Sequence, residues 1–130
     1  MACLETSFLI DLLRGKTAVN ELKDELDRTE ARLAIAAPSI MELWVGSYAV
    51  KRTKAEQDKI LELIESLELL PLDGRSAREA GEIEASLSAK GIEIQTEDVM
   101  IAGIARINGE KLVTRDIDYV RIPGLKILKY

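Results

Sequence analysis

Ala2-Cys3-Leu4-Glu5-Thr6-Ser7-Phe8-Leu9-Ile10-Asp11-Leu12-Leu13-Arg14-Gly15 changes character within a few residues. Ala2 to Leu4 is a short apolar run and reads as a buried strand. Thr6 or Ser7 is placed to cap a helix whose apolar residues Phe8, Leu9, Leu12 and Leu13 recur at helical spacing, with Gly15 as its stop. Glu5 stands between the two. A carboxylate that directly ends a buried strand has little structural use, and the chain contains no histidine. Acidic chemistry around a bound cation is therefore the first expectation.

The same rhythm continues. A second helix is predicted from Thr17 to Arg28 with Val19, Leu22 and Leu26 on one face, then a strand from Arg32 to Ala36. Ser39 opens a third helix through Met41, Leu43, Trp44 and Tyr48. Thr53-Lys54-Ala55-Glu56 has the form of a capping box, leading into a fourth helix with Ile60, Leu63, Ile64 and Leu67 inward. Leu69 to Leu72 makes a third strand. Ser76-Ala77-Arg78-Glu79 is a second capping box, opening a helix that ends near Lys90. Thr96 caps a helix over Glu97–Asn108, Asn108-Gly109 turns, and Lys111 to Val113 and Leu125 to Leu128 are the last strands. Short apolar strands that do not alternate in polarity are those covered on both faces. Strands alternating with helices along 130 residues predict one domain: a three-layer α/β/α sandwich with a mostly parallel sheet of about five strands. In such folds the ligand edge is the one formed by the C-terminal ends of the strands.

Composition narrows the chemistry. Without histidine there is no Ser-His-Asp triad, no Cys-His pair and no histidine-bound zinc. The single cysteine, Cys3, forms no internal disulfide and reads as a small buried residue. No apolar run approaches a membrane span, and the N-terminus lacks the charged flank and cleavage site of a signal peptide, so a cytoplasmic protein is expected. The net charge of −5 argues against general attraction to nucleic acid. It leaves room for a nuclease, because a cation-binding pocket is itself acidic. Carboxylates alone favour hard ions such as Mg²⁺ or Mn²⁺.

Four carboxylates occupy strand ends or first helical turns: Glu5, Glu42, Asp98 and Asp116. Should the first strand, which Glu5 ends, and the fourth, Lys111 to Val113, be neighbours, their ends lie about 5 Å apart. Two carboxylates about 4 Å apart repel by roughly 4 kcal/mol at an effective dielectric near 20. Four brought together must protonate in part or bind a divalent cation. Each also has a plainer reading. Ser39-Ile40-Met41-Glu42 is a capping box, Asp98 favours a helix dipole, and Asp116 and Asp118 suit a turn. Their joint placement is what favours a site.

Four blocks in order complete the reading. Leu4-Glu5-Thr6-Ser7-Phe8-Leu9-Ile10-Asp11-Leu12-Leu13-Arg14-Gly15, Pro38-Ser39-Ile40-Met41-Glu42-Leu43, Asp98-Val99-Met100-Ile101-Ala102-Gly103-Ile104-Ala105, and Leu112-Val113-Thr114-Arg115-Asp116-Ile117-Asp118-Tyr119 with its tail Arg121-Ile122-Pro123-Gly124-Leu125 resemble the motifs of the PIN-domain ribonucleases, in particular the VapC-type toxins of toxin–antitoxin pairs. The resemblance spans essentially the full length. It implies an RNA endonuclease dependent on Mg²⁺ or Mn²⁺, a homodimer, and a VapB-like antitoxin whose basic segment plugs the acidic pocket. It also implies that Glu5, Asp98 and Asp116 bind metal, with Asp118 assisting through a water. Glu42 would bind metal or position the attacking water, and Thr6 and Thr114 would orient carboxylates. One residue departs from the pattern: the family's first acid is usually Asp, and here it is Glu5. The added methylene moves the carboxylate by about 1.5 Å, against a tolerance of about 0.5 Å in a preorganised site. The change bears on rate and on activity itself, not on the fold.

Arg14, Lys16, Lys51, Arg52 and Arg115 are candidates for contacts to an RNA backbone, with a solvated surface as the plainer reading of each. The competing functional reading is a degenerate PIN domain that binds RNA or an antitoxin without cutting. A phosphoryl-accepting signalling domain ranks below both, because Leu4-Glu5-Thr6-Ser7 supplies one acid where that fold carries an adjacent pair. Trp44 and Tyr48 read as core, with a dimer or antitoxin groove as the alternative.

Overall fold

The sheet order in the computed structural model, which describes residues 1–130, is set by a reversal of direction. The strands are β1 (Ala2–Leu4), β2 (Leu33–Ala36), β3 (Glu68–Leu70), β4 (Lys111–Thr114) and β5 (Ile127–Lys129). They form one parallel sheet in the order β3-β2-β1-β4-β5. The chain builds outward from β1 to β3, then returns to place β4 on the other side of β1. The register pairs Leu4 with Val113, so the strands numbered first and fourth end side by side.

The helices are α1 (Thr6–Leu13), α2 (Thr17–Thr29), α3 (Ala37–Ala49), α4 (Lys54–Glu65), α5 (Gly74–Ala89) and α6 (Thr96–Ile107), with a 3-10 turn at Ile117–Arg121. Crossovers of one hand place their helices on one face when they run outward and on the other when they return. The two cores follow that rule. Ala2, Leu4, Leu33, Ile35 and Val113 pack with Phe8, Leu9, Val19, Leu26, Leu43 and Ile60 from the first four helices. Cys3, Ala34, Ala36 and Leu112 pack with Ile83, Leu87, Ile101, Ile104 and Tyr119 on the opposite face. The three-layer sandwich with a five-stranded parallel sheet is thus as the sequence predicts, and Cys3 is buried.

Several local expectations are corrected. The cap of α1 is Glu5, not Thr6 or Ser7: its carboxylate accepts from Ser7 N. Glu5 therefore does have a structural use. α3 begins at Ala37 with Pro38 in its first turn, where a missing N–H costs nothing. The box expected at Ser39 and Glu42 does not form, and α3 has no side-chain cap. α5 starts earlier than Ser76, through a reciprocal box between Asp73 and Ser76. α6 likewise starts at Thr96, with Gln95 at its cap position and no side-chain hydrogen bond there. β3 ends at Leu70, before Pro71, which has no N–H to give a ladder. β5 lies at Ile127–Lys129, later than expected. The box at Thr53 and Glu56 is formed as predicted.

Gly103 is the tightest point between α5 and α6. A Cβ there would lie 2.8 Å from Ala80 N and 2.9 Å from both Ala80 Cα and Cβ. Backbone atoms cannot swing aside, so the two helices would have to separate. Gly103→Ala gains about 1 kcal/mol of helix propensity but incurs an overpacking cost of about 1–3 kcal/mol. The expected outcome is a lower Tm by thermal denaturation, by about 3–8 °C for a domain of this size, with the fold retained by far-UV circular dichroism.

Candidate functional site

The reversal of sheet direction creates a crevice at the C-terminal ends of β1 and β4, the position where open parallel sheets hold ligands. Glu5 N donates to Val113 O at 3.1 Å, carrying the β1–β4 pairing one residue past the strand. Beyond it the side chains interlock. Thr114 Oγ1 donates to Glu5 Oε1 at 2.5 Å and accepts from Asp116 N at 3.0 Å. Ser7 Oγ donates to the same Glu5 oxygen at 2.6 Å, and Ser7 N donates to Glu5 Oε2 at 3.0 Å. Glu5 is buried, and three protein donors already hold its carboxylate. Asp116 is in turn fixed by Asp118 N, which donates to its Oδ1 at 2.9 Å.

The helices of both outer layers add the remaining acids. Thr6 Oγ1 donates to Glu42 Oε1 at 2.8 Å and lies 2.9 Å from the buried Ser39 Oγ, which is free to donate back. This ties the first two turns of α3 to the first turn of α1. From the opposite face, Tyr119 OH donates to Asp98 Oδ1 at 3.0 Å. Tyr119 is wholly buried, so Asp98 is gripped by a rigid part of the core.

The charges act on one another. Burial pushes the Asp98 carboxyl up to about 6; the Tyr119 hydroxyl opposes this, and repulsion from Asp116, Glu42 and Glu5 adds to it. Glu42 is raised first by burial, against the Thr6 hydrogen bond, and further by Glu5 and Glu97. Burial also raises the Tyr119 hydroxyl, with Glu5 and Asp98 contributing, so it stays a proton donor. Glu5, Glu42, Asp98 and Asp116 thus form one electrostatic unit, and Glu97 is a fifth acid beside it. Asp118 enters through its amide; its carboxylate lies 4.0 Å from Arg121 Nη1. All the donors are hard carboxylate oxygens, which suit Mg²⁺ or Mn²⁺. In the arrangement seen, however, no three acidic side chains stand close enough to share one ion. The donor set and its uncompensated repulsion fit a divalent cation, while the Glu5 carboxylate is turned onto Thr114 and Ser7.

Of the five candidate cations, three are engaged. Lys16 Nζ lies 2.9 Å from Asp11 Oδ1 and Arg115 Nε donates to Asp11 Oδ2 at 2.8 Å, while Arg52 pairs with Glu56 at 2.7 Å. Arg14 and Lys51 are exposed and form no ion pair. Trp44 and Tyr48 are not both core: Tyr48 is 67% exposed and stacks on the partly buried Trp44 with ring centroids 5.9 Å apart. Nothing in the sequence alone singles out Ser7, Ser39, Asp11 or Tyr119 as members of the site region, and Glu97 is overshadowed by Asp98 beside it. Glu97-Asp98 is a visible acidic pair. The other roles have no local signal, since Tyr119 meets Asp98 from 21 residues away and Asp11 meets Arg115 from 104.

Comparison with known proteins agrees with this architecture. The PIN domain family matches residues 2–125. The tRNA(fMet)-specific endonuclease VapC of Salmonella typhimurium is 29% identical over 95% of this chain and 93% of its own length. Ribonuclease VapC2 of Rickettsia felis is 30% identical over 72% of this chain and 70% of its own. Among solved structures, a chain of the DNA-bound VapBC of Salmonella typhimurium superposes with a TM-score of 0.83 at 27% identity, covering 99% of this chain and 98% of that one. VapBC2 of Rickettsia felis, bound to a promoter DNA fragment, shares the fold at a TM-score of 0.91 and 24% identity, with coverage of 99% and 98%. A match that runs from β1 through the 3-10 turn, on a sheet with this reversal and this acidic corner, makes the chain a member of the PIN-domain family, in its VapC-type branch.

Proposed function

We propose that this chain is a metal-dependent endoribonuclease and the toxin of a VapBC-type pair, acting by attack of water on an RNA phosphodiester at the corner formed by Glu5, Glu42, Asp98 and Asp116. The observation that carries this is the mutual repulsion of buried and partly buried carboxylates from four separate segments, which no protein cation relieves. Glu5, Asp98 and Asp116 would hold Mg²⁺ or Mn²⁺, with Asp118 assisting. Such an ion polarises the phosphate and lowers the pKa of a bound water. The chain's own part is orientation. Tyr119 OH fixes Asp98, Thr114 Oγ1 fixes Glu5, and Thr6 Oγ1 fixes Glu42. Glu42, raised by burial and by its acidic neighbours, is suited to position the attacking water and accept its proton.

The degenerate reading draws on a specific observation as well: the Glu5 carboxylate is committed to three protein donors. Cleavage of single-stranded RNA and initiator tRNA with Mn²⁺ separates the two. Wild type is expected to cut and Asp98→Asn to lose about 100-fold or more in rate; equal rates would remove the site assignment. Glu5→Asp, which lacks the extra methylene, should cut at least as fast as wild type. No cleavage by any of the three forms would leave a binding module.

A groove supports the antitoxin reading. It encloses about 360 Å³ between α1, α3 and α4, with Ile10, Leu13, Leu43, Val50 and Ile60 as its apolar lining and Arg14, Arg52, Lys59, Glu42 and Glu56 on its polar walls. An apolar segment seated there could lead a basic residue into the acidic corner. For the homodimer, Met41, Val45 and Tyr48 form an exposed apolar stripe on α3. Val45→Asp is expected to halve the mass seen by sedimentation; an unchanged mass would exclude this face.

Titration of Asp98 gives a further outcome. Its folded value of about 6 exceeds the ordinary 3.8, so the folded state holds its proton more tightly. Stability from this group is full below about pH 4 and lost as pH rises through about 6. In metal-free protein, Asp98→Asn should match wild type in Tm near pH 4 and exceed it above pH 6. Added Mn²⁺ should raise the wild-type Tm at pH 7 and leave the variant almost unmoved.

A further inference from the structure

Asp11 is a buried carboxylate outside the acidic corner, 1% exposed, at which two distant side chains and one from the end of its own helix meet. Arg115 Nε donates to its Oδ2 at 2.8 Å, Tyr130 OH donates to the same oxygen at 2.9 Å, and Lys16 Nζ lies 2.9 Å from Oδ1. Burial would raise this carboxyl, but the hydrogen bonds from Arg115 and Tyr130 and the ammonium of Lys16 outweigh it and hold it well below the usual range. Asp11 is therefore a fixed anion that grips two cations by their inner sides. Their outer sides are open: the Arg115 and Lys16 side chains are 49% and 52% exposed.

The way Arg115 is held is unlike the other buried-anchored arginine. Arg106 spends Nε on Glu79, Nη1 on Pro123 O and Nη2 on Glu82, so it is saturated by protein. Arg115 spends Nε alone. Both of its terminal amino groups remain free, in the fork that matches two phosphate oxygens. Its backbone is part of the acidic corner, between Thr114 and Asp116, with Arg115 N directed at Ser7 Oγ at 3.4 Å. Six residues along α1 separate Glu5 from Asp11, about 9 Å at the helical rise. A strand lying in the corner would therefore bring a phosphate other than the reacting one over these two cations.

We propose that Asp11 is a positioning residue that holds Arg115 and Lys16 as a cradle for a backbone phosphate of the RNA, beside the cleavage corner. The inference rests on the endoribonuclease reading given above. It explains how a chain of net charge −5 receives a polyanion: one carboxylate is placed behind the cations, where it organises them without facing the strand. The side chains are ordered before RNA arrives, so less conformational freedom is lost on binding.

Steady-state cleavage of a mixed-sequence single-stranded oligoribonucleotide with Mn²⁺, over a series of KCl concentrations, tests this. Arg115→Gln should raise KM about tenfold with kcat within about twofold, and should make the dependence of log(kcat/KM) on log[KCl] shallower by about 0.7. Arg115→Lys keeps the charge without the fork and should recover only part of the loss. Asp11→Asn decides between charge and position, because it makes the protein less negative. Simple electrostatics lowers its KM, whereas loss of the cradle raises it. Should Asp11→Asn fail to fold by circular dichroism, the two Arg115 variants carry the test alone. An unchanged KM and salt slope for Arg115→Gln, or a lower KM for folded Asp11→Asn, overturns the cradle while the nuclease stands. Wild type that cuts no better than Asp98→Asn overturns both.

Discussion

The parallel pairing of β1 with β4 is the constraint on which the rest of this protein depends. It joins residues more than a hundred positions apart and puts the ends of two buried strands a single ladder spacing from each other. Because β1 sits in the middle of the sheet, its end has neighbours in both directions and a helical layer on each side. Side chains leaving that end have nowhere to go but the crevice, and in this chain those side chains are acids.

Hydroxyl groups make that crowding tolerable. Thr114, Ser7, Thr6 and Tyr119 each donate to one of the carboxylates, favouring the ionised form while aiming it. They do not cancel the charge. Asp98 and Glu42 remain raised, burial being the main reason in both, and the corner stays a region of stored repulsion that a cation would release. Stability is given up at the site and recovered in the two cores, a division common where a fold carries chemistry.

Charge is handled differently at Asp11. There a buried carboxylate is matched by two cations and a hydroxyl and is held ionised. One helix, α1, therefore carries an acid with no cationic partner at its cap and one paired with two cations in its last turn. The contrast lies in what the surrounding segments deliver to each end: acids from α3, α6 and the loop after β4 at the first, Arg115, Lys16 and Tyr130 at the second.

The sequence alone determined the layer architecture, because helical and strand periodicities are local and short apolar strands without alternation require cover on both faces. It also picked out the acids of the corner, since strand ends and helix starts are marked by their own residues, although Glu42 falls in the second turn of α3 because that helix begins at Ala37 rather than at Ser39. It misjudged the caps: Glu5 looked idle and Ser39-Glu42 looked like a box, yet Glu5 caps α1 and Glu42 turns to Thr6. A capping pattern says which bonds a turn can make, and a competing partner in space decides which it does make. Only the tertiary structure decided that Tyr119 grips Asp98, that Asp11 gathers Arg115 and Tyr130, and that Glu5 is folded onto Thr114. Each of these joins segments far apart in the chain, and hydrogen-bond geometry between such segments is fixed by sheet order and register, which no local pattern of residues encodes.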